Sequence, residues 1–284
     1  MINCIHFSIR FMFKVYILII YIFIFCPSFS QNMFVNPQFM VHYNFTFQSD
    51  STDSNSKKTV HMVLMIEGQN SYFFDWNYIK QDSIYKSILD GTTSPDKLLG
   101  NLNKFPKPDL NFILKKKKNT SQIAYFERIG GGAYFFEEDN DFQWNITNER
   151  IRLGGYKVQK ATCRFKGRNY KAWFSSDLPI SDGPYKFKGL PGLILQVSDD
   201  DDYFNFTVLS MGKVLNESYE LKQFRNARKI EKNDLIALKQ LFIANPFAFP
   251  DGDNIIIDQI NKEIILRNAE QNIKRPRNPM ERNE

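Results

Sequence analysis

The stretch that decides how this chain reads is 183–197, GPYKFKGLPGLILQV. Gly183-Pro184 and Pro191-Gly192 are turn dipeptides, and Leu193, Ile194 and Leu195 open an apolar run behind them. Proline presets φ for a turn, and glycine takes positive φ without steric cost, a freedom expected here of Gly192. Gly189 is expected to permit close backbone approach. The stretch reads as an irregular loop anchored by Leu178, Pro179, Tyr185 and Phe187. It leaves the strand of YKAWFSS and delivers LILQV in a fixed direction, buried on both faces or at a covered edge. On this reading Gly183, Pro184, Gly189, Leu190, Pro191, Gly192, Leu193 and Ile194 form a structural motif that sets a crossover and a register. Preset loops at sheet ends also carry binding, so a binding loop stands as the second reading.

Working outward, strand patterns dominate. In QFMVHYNFTFQS, 38–49, Phe39, Val41, Tyr43, Phe45 and Phe47 alternate with Met40, His42, Asn44 and Thr46, the period of a strand. TVHMVLMIEG returns after a polar turn, completing a hairpin. Residues 76–108 read as a partly helical insertion, with Ile79, Ile84, Tyr85, Ile88 and Leu89 at helical spacing. Strands resume at LNFILKKKKN, SQIAYFERI and GAYFFEED, then FQWNIT, GYKVQKATCRFKG, RNYKAWFSS, GLILQVSDD and YFNFTVLSMGKV, each bounded by turn residues. Lysines 115–118 are expected to end a strand and face water beside a turn at Asn119-Thr120. In KNDLIALKQLF, Leu235, Leu238, Leu241 and Phe242 make a helical stripe capped by Asn233 or Asp234. Ile256, Ile260 and Ile264 offer a further helix or two short strands. The expected fold is mainly β: an antiparallel curved sheet or half-barrel, with helices in the C-terminal part and the insertion near 76–108. It forms a single β-rich domain over 31–270, followed by a polar, mobile tail over 271–284.

The chain has 284 residues, 43% hydrophobic and 15% aromatic, with 27 Phe and 13 Tyr, a composition suited to pleated, half-buried surfaces. Arg10 and Lys14 precede the apolar run Val15–Phe25, and Ser28-Phe29-Ser30 is a small-x-small cleavage pattern, so 1–30 reads as a secretory signal peptide. The apolar run is short of the roughly 20 residues a spanning helix needs. Removing 1–30 leaves 35 basic against 31 acidic residues, a mildly basic surface rather than a nucleic-acid footprint, and no further apolar segment long enough to span a membrane. Cys163 becomes the lone cysteine, so no internal disulfide is expected.

No chemical motif stands out. His42 and His61 lie on expected strands without a surrounding motif. In KATCRF, Ala161, Cys163 and Phe165 share one face, the pattern of a core-facing thiol. The aspartates at 199–202 are contiguous, unlike spaced calcium ligands, and read as a solvated hairpin tip. No metal site, cofactor or catalytic residue is assigned. The best binding candidates are Arg168, Tyr170, Trp173, Tyr185 and Lys186, since arginine with aromatics is the composition of recognition surfaces. Against this, Trp173 suits a core position and Arg168 a nearby carboxylate partner.

The run from Trp144 to Leu195 resembles the GLPGLI family of exported proteins from Bacteroidetes. It carries the motif at Gly189-Leu190-Pro191-Gly192-Leu193-Ile194, flanked by GYKVQKAT and FKGRNYKAWFSSDLPISDGPYKF. NPMER near the end is similar to the family's NP-x-E close. Where many members carry a cysteine this chain has Val158 and Gln159, so no shared thiol role follows. The resemblance implies export and a periplasmic or outer-membrane-associated setting, and it brings no activity. Two functional classes follow: a non-enzymatic binding module for an apolar ligand, a peptide or an envelope partner, or a hydrolase or thiol-dependent enzyme of the periplasm.

Overall fold

The structure is a computed structural model that describes residues 34–94, 106–245 and 278–281. The expected signal segment 1–30 and the Ile256, Ile260, Ile264 pattern lie outside the described residues. Strands β2 (Phe39–Gln48), β3 (Lys57–Glu67), β4 (Asn70–Asp75), β5 (Phe112–Lys117), β6 (Gln122–Ile129) and β7 (Gly132–Asp139) pair in sequence order as one antiparallel meander. Strands β8 (Asn145–Leu153), β9 (Tyr156–Phe165), β10 (Arg168–Ser175), β11 (Leu193–Asp199) and β12 (Phe204–Lys213) form a second. Pairing of β12 with β2 fuses the two, and β14 (Arg228–Lys229) adds the single parallel edge beside β7. The result is an open sheet of 12 strands, while β1 (Phe34–Val35) and β13 (Tyr219–Glu220) pair separately.

The sheet is strongly curled. Strand β7 and strand β9 stand nine places apart in the strand order, a distance of roughly 43 Å if the sheet were flat at about 4.8 Å per strand. Yet Lys186 binds Glu138 on β7 while its neighbour Phe187 packs 5.8 Å from Phe165 on β9. Both strands therefore close on one loop, 176–192, which lies against the inner face. The inner core joins Val41, Tyr43, Met62, Phe73 and Phe206 of the sheet to Tyr185, Phe187 and Leu190 of that loop. The outer face buries Val63, Met65, Tyr72 and Phe74 under Tyr78, Leu221 and Phe224.

Alternation in β2 and two-sided burial of Leu193, Ile194 and Leu195 are as the sequence predicts. Four local expectations change. NSYFFD forms β4, a strand the sequence reading left unassigned. Helix α1 (Asn77–Leu89) exists, but it buries Tyr78 and Asp82 rather than the isoleucine stripe, leaving Tyr85 and Leu89 exposed. Tyr78 wins that face by an edge-on contact with Phe224 at 5.7 Å, and Asp82 by ion pairs to Lys86 and Lys222. Helix α2 (Lys232–Ala244) buries Leu235, half-buries Leu238 and Phe242, and leaves Leu241 exposed; Glu231 precedes it without a side-chain cap. Finally, Lys116 does not face water. It follows Leu114 by the strand period onto the inner face, 1% exposed, where Asp182 and the Gly183 carbonyl receive it.

Candidate functional site

The motif loop is held by steric demands distributed differently from the sequence expectation. Gly189, not Gly192, takes the left-handed backbone, with φ of 93°. Gly192 supplies close approach: a Cβ there would fall 2.6 Å from the Ser175 carbonyl carbon and closer still to its oxygen. Gly183 similarly makes room for Ile194, whose side chain would lie 2.8 Å from a Cβ. Leu193 and Ile194 donate backbone N–H groups to Leu178 and Asp182, and Tyr43 donates to the Ile194 carbonyl at 2.8 Å. Pro179 remains exposed, while Tyr185 and Phe187 are buried. Tyr185 itself sits at φ 50°, a left-handed conformation that few side chains adopt and that its surroundings must enforce.

Four of the five recognition candidates converge around a segment of the chain's own C-terminal tail. Arg168 donates to the Asp199 carboxylate at 3.1 Å, to the side-chain oxygen of Asn278, and to the Pro279 carbonyl at 3.1 Å. Its guanidinium also lies 4.8 Å from the Phe204 ring. Tyr170 donates to the Met280 carbonyl at 3.1 Å and Tyr185 to the Glu281 carboxylate at 2.6 Å. Lys186 joins Glu281 and Glu138, and Lys232 of α2 reaches the same two carboxylates. Asn278 completes the docking by donating its backbone N–H to Ser49 and its side-chain amide to Gln48. Thus 278–281 is anchored within the tail that the sequence reading expected to be mobile. Trp173 lies elsewhere: strand alternation puts it on the opposite face of β10 from Arg168 and Tyr170, half-buried between Lys160 and Gln196.

The electrostatics fix the charges. Burial pushes the Glu138 carboxyl up, but the Lys186 and Lys232 ammoniums prevail and hold it down at about 2. Glu281 is also lowered: Lys186 and Tyr185 outweigh its burial. Asp199, placed by the sequence reading in a solvated tip, is 1% exposed and accepts the Phe204 N–H at 2.8 Å; burial raises its carboxyl despite Arg168. Asp200 and Asp202 remain exposed at the turn. The socket therefore reads Asn-Pro-x-Glu, bent at Met280 and Glu281: both ends of an asparagine amide, two carbonyls and a carboxylate. Proline, which has no N–H to satisfy, costs it nothing.

Elsewhere the structure brings together two residues around which the sequence shows no motif. His42 Nδ1 and His61 Nε2 are 3.0 Å apart on the outer face, with Trp76 edge-on to His42 at 4.9 Å. Burial lowers His42; burial, His42 and Lys80 lower His61 to about 4. Cys163 faces the inner core with Ala161 and Phe165, across the sheet from that pair, and burial pushes its thiol up to about 12. Among the described residues, no group of three or more His, Cys, Asp or Glu side chains is placed to hold a metal, and no helix is long and apolar enough to cross a membrane.

The sequence model of a family described as "Protein of unknown function (Porph_ging)", an uncharacterised family found in Bacteroidetes, matches 164–196, the span from the end of β9 through the loop into β11. No curated protein matches the chain. Among solved structures, PNGF-II in a C2 crystal form is similar at 12% identity and a TM-score of 0.50, covering 71% of this chain and 32% of that one. The same protein in a P21 form gives 12% identity and a TM-score of 0.47, covering 70% and 32%. This chain thus spans about a third of the length of those structures, and the likeness concerns the fold.

Proposed function

We propose that this chain is an exported, non-enzymatic binding module of the cell envelope, of the GLPGLI type, periplasmic or outer-membrane-associated, whose recognition element is the Arg168–Tyr170–Tyr185–Lys186 socket. Its ligand class is a short peptide of Asn-Pro-x-Glu form, for which the chain's own 278–281 segment is the resident occupant. The observation that carries this reading is the run of polar contacts between socket and segment, from the Asn278 amide through the Pro279 and Met280 carbonyls to the Glu281 carboxylate. An apolar ligand is less well served, because Tyr185, Phe187 and Leu190 already fill the inner face of the sheet. The thiol-enzyme reading is weakened by a Cys163 held protonated in the core, since the thiolate is the nucleophile.

The test uses full-length protein in which Asn278→Ala and Glu281→Ala loosen the resident segment. A fluorescent peptide of residues 277–284 is expected to bind it saturably, by anisotropy, and to lose binding when Arg168→Met is added. Failure of the peptide to bind the loosened protein overturns the peptide reading. Fractionation of native cells tests the setting, and recovery in the cytosol overturns export.

A further inference from the structure

The outer face of the sheet carries a second constellation, across the sheet from the peptide socket. His42 of β2 and His61 of β3 stand diagonally over one strand pair: His42 is registered with Val63, and His61 with Asn44. Strand pairing fixes the backbone under both rings, so the contact is built into the sheet rather than a loop. His42 Nδ1 and His61 Nε2 meet at 3.0 Å, with ring centres 5.0 Å apart and planes tilted by 54°. The rings therefore meet nitrogen edge to nitrogen edge and are not stacked. Trp76 backs His42 edge-on at 4.9 Å, and its own backbone N–H donates to the His61 carbonyl at 2.9 Å. The contact is partly buried, neither sealed in the core nor fully open to water.

Two occupants suit such an approach of imidazole nitrogens. One is a proton, carried by one ring and accepted by the lone pair of the other. The other is a metal ion bound by both lone pairs. For the ion, the donating ring moves its proton to its other nitrogen, so both lone pairs face the metal and no proton is lost. Metal–imidazole bonds of about 2.0–2.1 Å across that 3.0 Å gap enclose an angle of about 91–97°. That is the angle between adjacent positions of a tetragonal ion; a tetrahedral ion would want the nitrogens roughly 3.3–3.4 Å apart. The neighbours also select. Asn44 lies across from His61, and Val63 and Ser210 flank His42, so strand register brings neutral side chains to the pair. Lys80, the cation that acts on His61, is exposed on α1, where water and salt screen it. Two imidazole donors suit copper and nickel, while magnesium and calcium require oxygen donors.

We propose that His42 and His61 form a two-histidine site for a divalent transition-metal ion of tetragonal preference, Cu²⁺ above all, held at adjacent positions by His42 Nδ1 and His61 Nε2 with water completing its coordination.

Titration of untagged full-length protein with glycine-buffered Cu²⁺, read by electron spin resonance, tests this. The expected result is one site with an axial spectrum showing two imidazole nitrogens in the copper plane. Ni²⁺ should compete for it and Mg²⁺ should not. His42→Gln and His61→Gln should each weaken Cu²⁺ at least about tenfold while melting as folded protein. The double variant should lose the two-nitrogen signal, and it accounts for copper bound elsewhere on the chain. Should a variant fail to fold, the wild type answers by protection. Bound Ni²⁺ should shield His42 and His61 together from diethyl pyrocarbonate, read by mass spectrometry. Absence of the two-nitrogen signal in the wild type overturns the proposal. So does a signal that persists in the folded double variant, or equal modification of both histidines with and without the ion.

Discussion

Arg168 donates to the side-chain oxygen of Asn278 while the Asn278 amide donates to the Gln48 carbonyl, so one asparagine ties β10 to the end of β2. The same guanidinium neutralises Asp199, with side chains 2% and 1% exposed. Removing Arg168 leaves a buried carboxylate unpaired, which costs about 3–5 kcal/mol. Removing Asn278 leaves a carbonyl and one guanidinium N–H unpaired, about 1–3 kcal/mol. Arg168→Met is therefore expected to be the more damaging in urea titrations. Arg168→Lys should not restore stability, because a point charge cannot serve Asp199, Asn278 and the Pro279 carbonyl together. The double variant should cost less than the sum of the two, as expected of residues in contact. Strict additivity would show that the segment does not dock on Arg168.

The two central glycines of the motif make opposite demands, and substitution separates them. At Gly189 a Cβ would find only Trp144, at 3.9 Å, so Gly189→Ala meets conformational strain alone, about 1–3 kcal/mol. At Gly192 the Cβ would strike backbone atoms of Ser175 and Ser176, which cannot move without spreading β10 from β11. Gly192→Ala is expected to cost more than about 3 kcal/mol or to prevent folding. Thermal melts giving the reverse order would contradict the described loop.

How far the sequence showed this can be followed residue by residue. Phe39 to Phe47 and Leu193 to Leu195 declare their strands because burial and a period of two are local signals. The exchange of roles between Gly189 and Gly192 was not legible: either glycine permits either role, and the deciding neighbour, Ser175, arrives only through strand pairing. Lys116 was legible in principle, since Leu114 faces inward and the period carries Lys116 after it, but a lysine run suggests solvent. Arg168, Tyr170, Tyr185 and Lys186 could be singled out by composition. Their occupant could not, because Asn278 and Glu281 lie about a hundred residues further on and nothing local links them. Nothing local links His42 to His61 either; the register of β2 on β3 joins them.

Acid should loosen the socket in a defined window. Glu138 has an ordinary value of 4.5 and is held at about 2 in the folded protein by Lys186 and Lys232 acting against its burial. A depressed carboxyl contributes stability that is fully present above about 4.5 and is lost as pH falls toward about 2; Glu281 shifts in the same direction. Glu138→Gln is expected to lower stability at neutral pH by about 1–3 kcal/mol, allowing for the solvent that reaches Lys232. The gap from wild type should close by the acid end of that window. Denaturation midpoints measured from pH 6 to about pH 2 check this. A gap that is constant across the range would remove the ion network from the account of stability.

Cys163 provides the last prediction, and it bears directly on function. The thiol shares the inner face with Ala161 and Phe165 and is pushed up to about 12 by burial, so the thiolate that reagents and substrates require is scarce at neutral pH. Its residue neighbours on the outer face, Thr162 and Arg164, leave no route for it to the His42–His61 pair, which lies on that outer side. Thiol-reactive reagents should therefore label the native protein slowly and the urea-unfolded protein fast. Cys163→Ser should lower stability by about 1 kcal/mol or a little more, the cost of burying a hydroxyl. Peptide binding in the socket should be retained: Cys163 pairs across the strands with Tyr170, but serine is close to it in size and leaves the Tyr170 hydroxyl free to reach the Met280 carbonyl. Rapid labelling of the native state, together with loss of peptide binding or of any measurable turnover in the serine variant, would return a thiol enzyme to the front of the two readings.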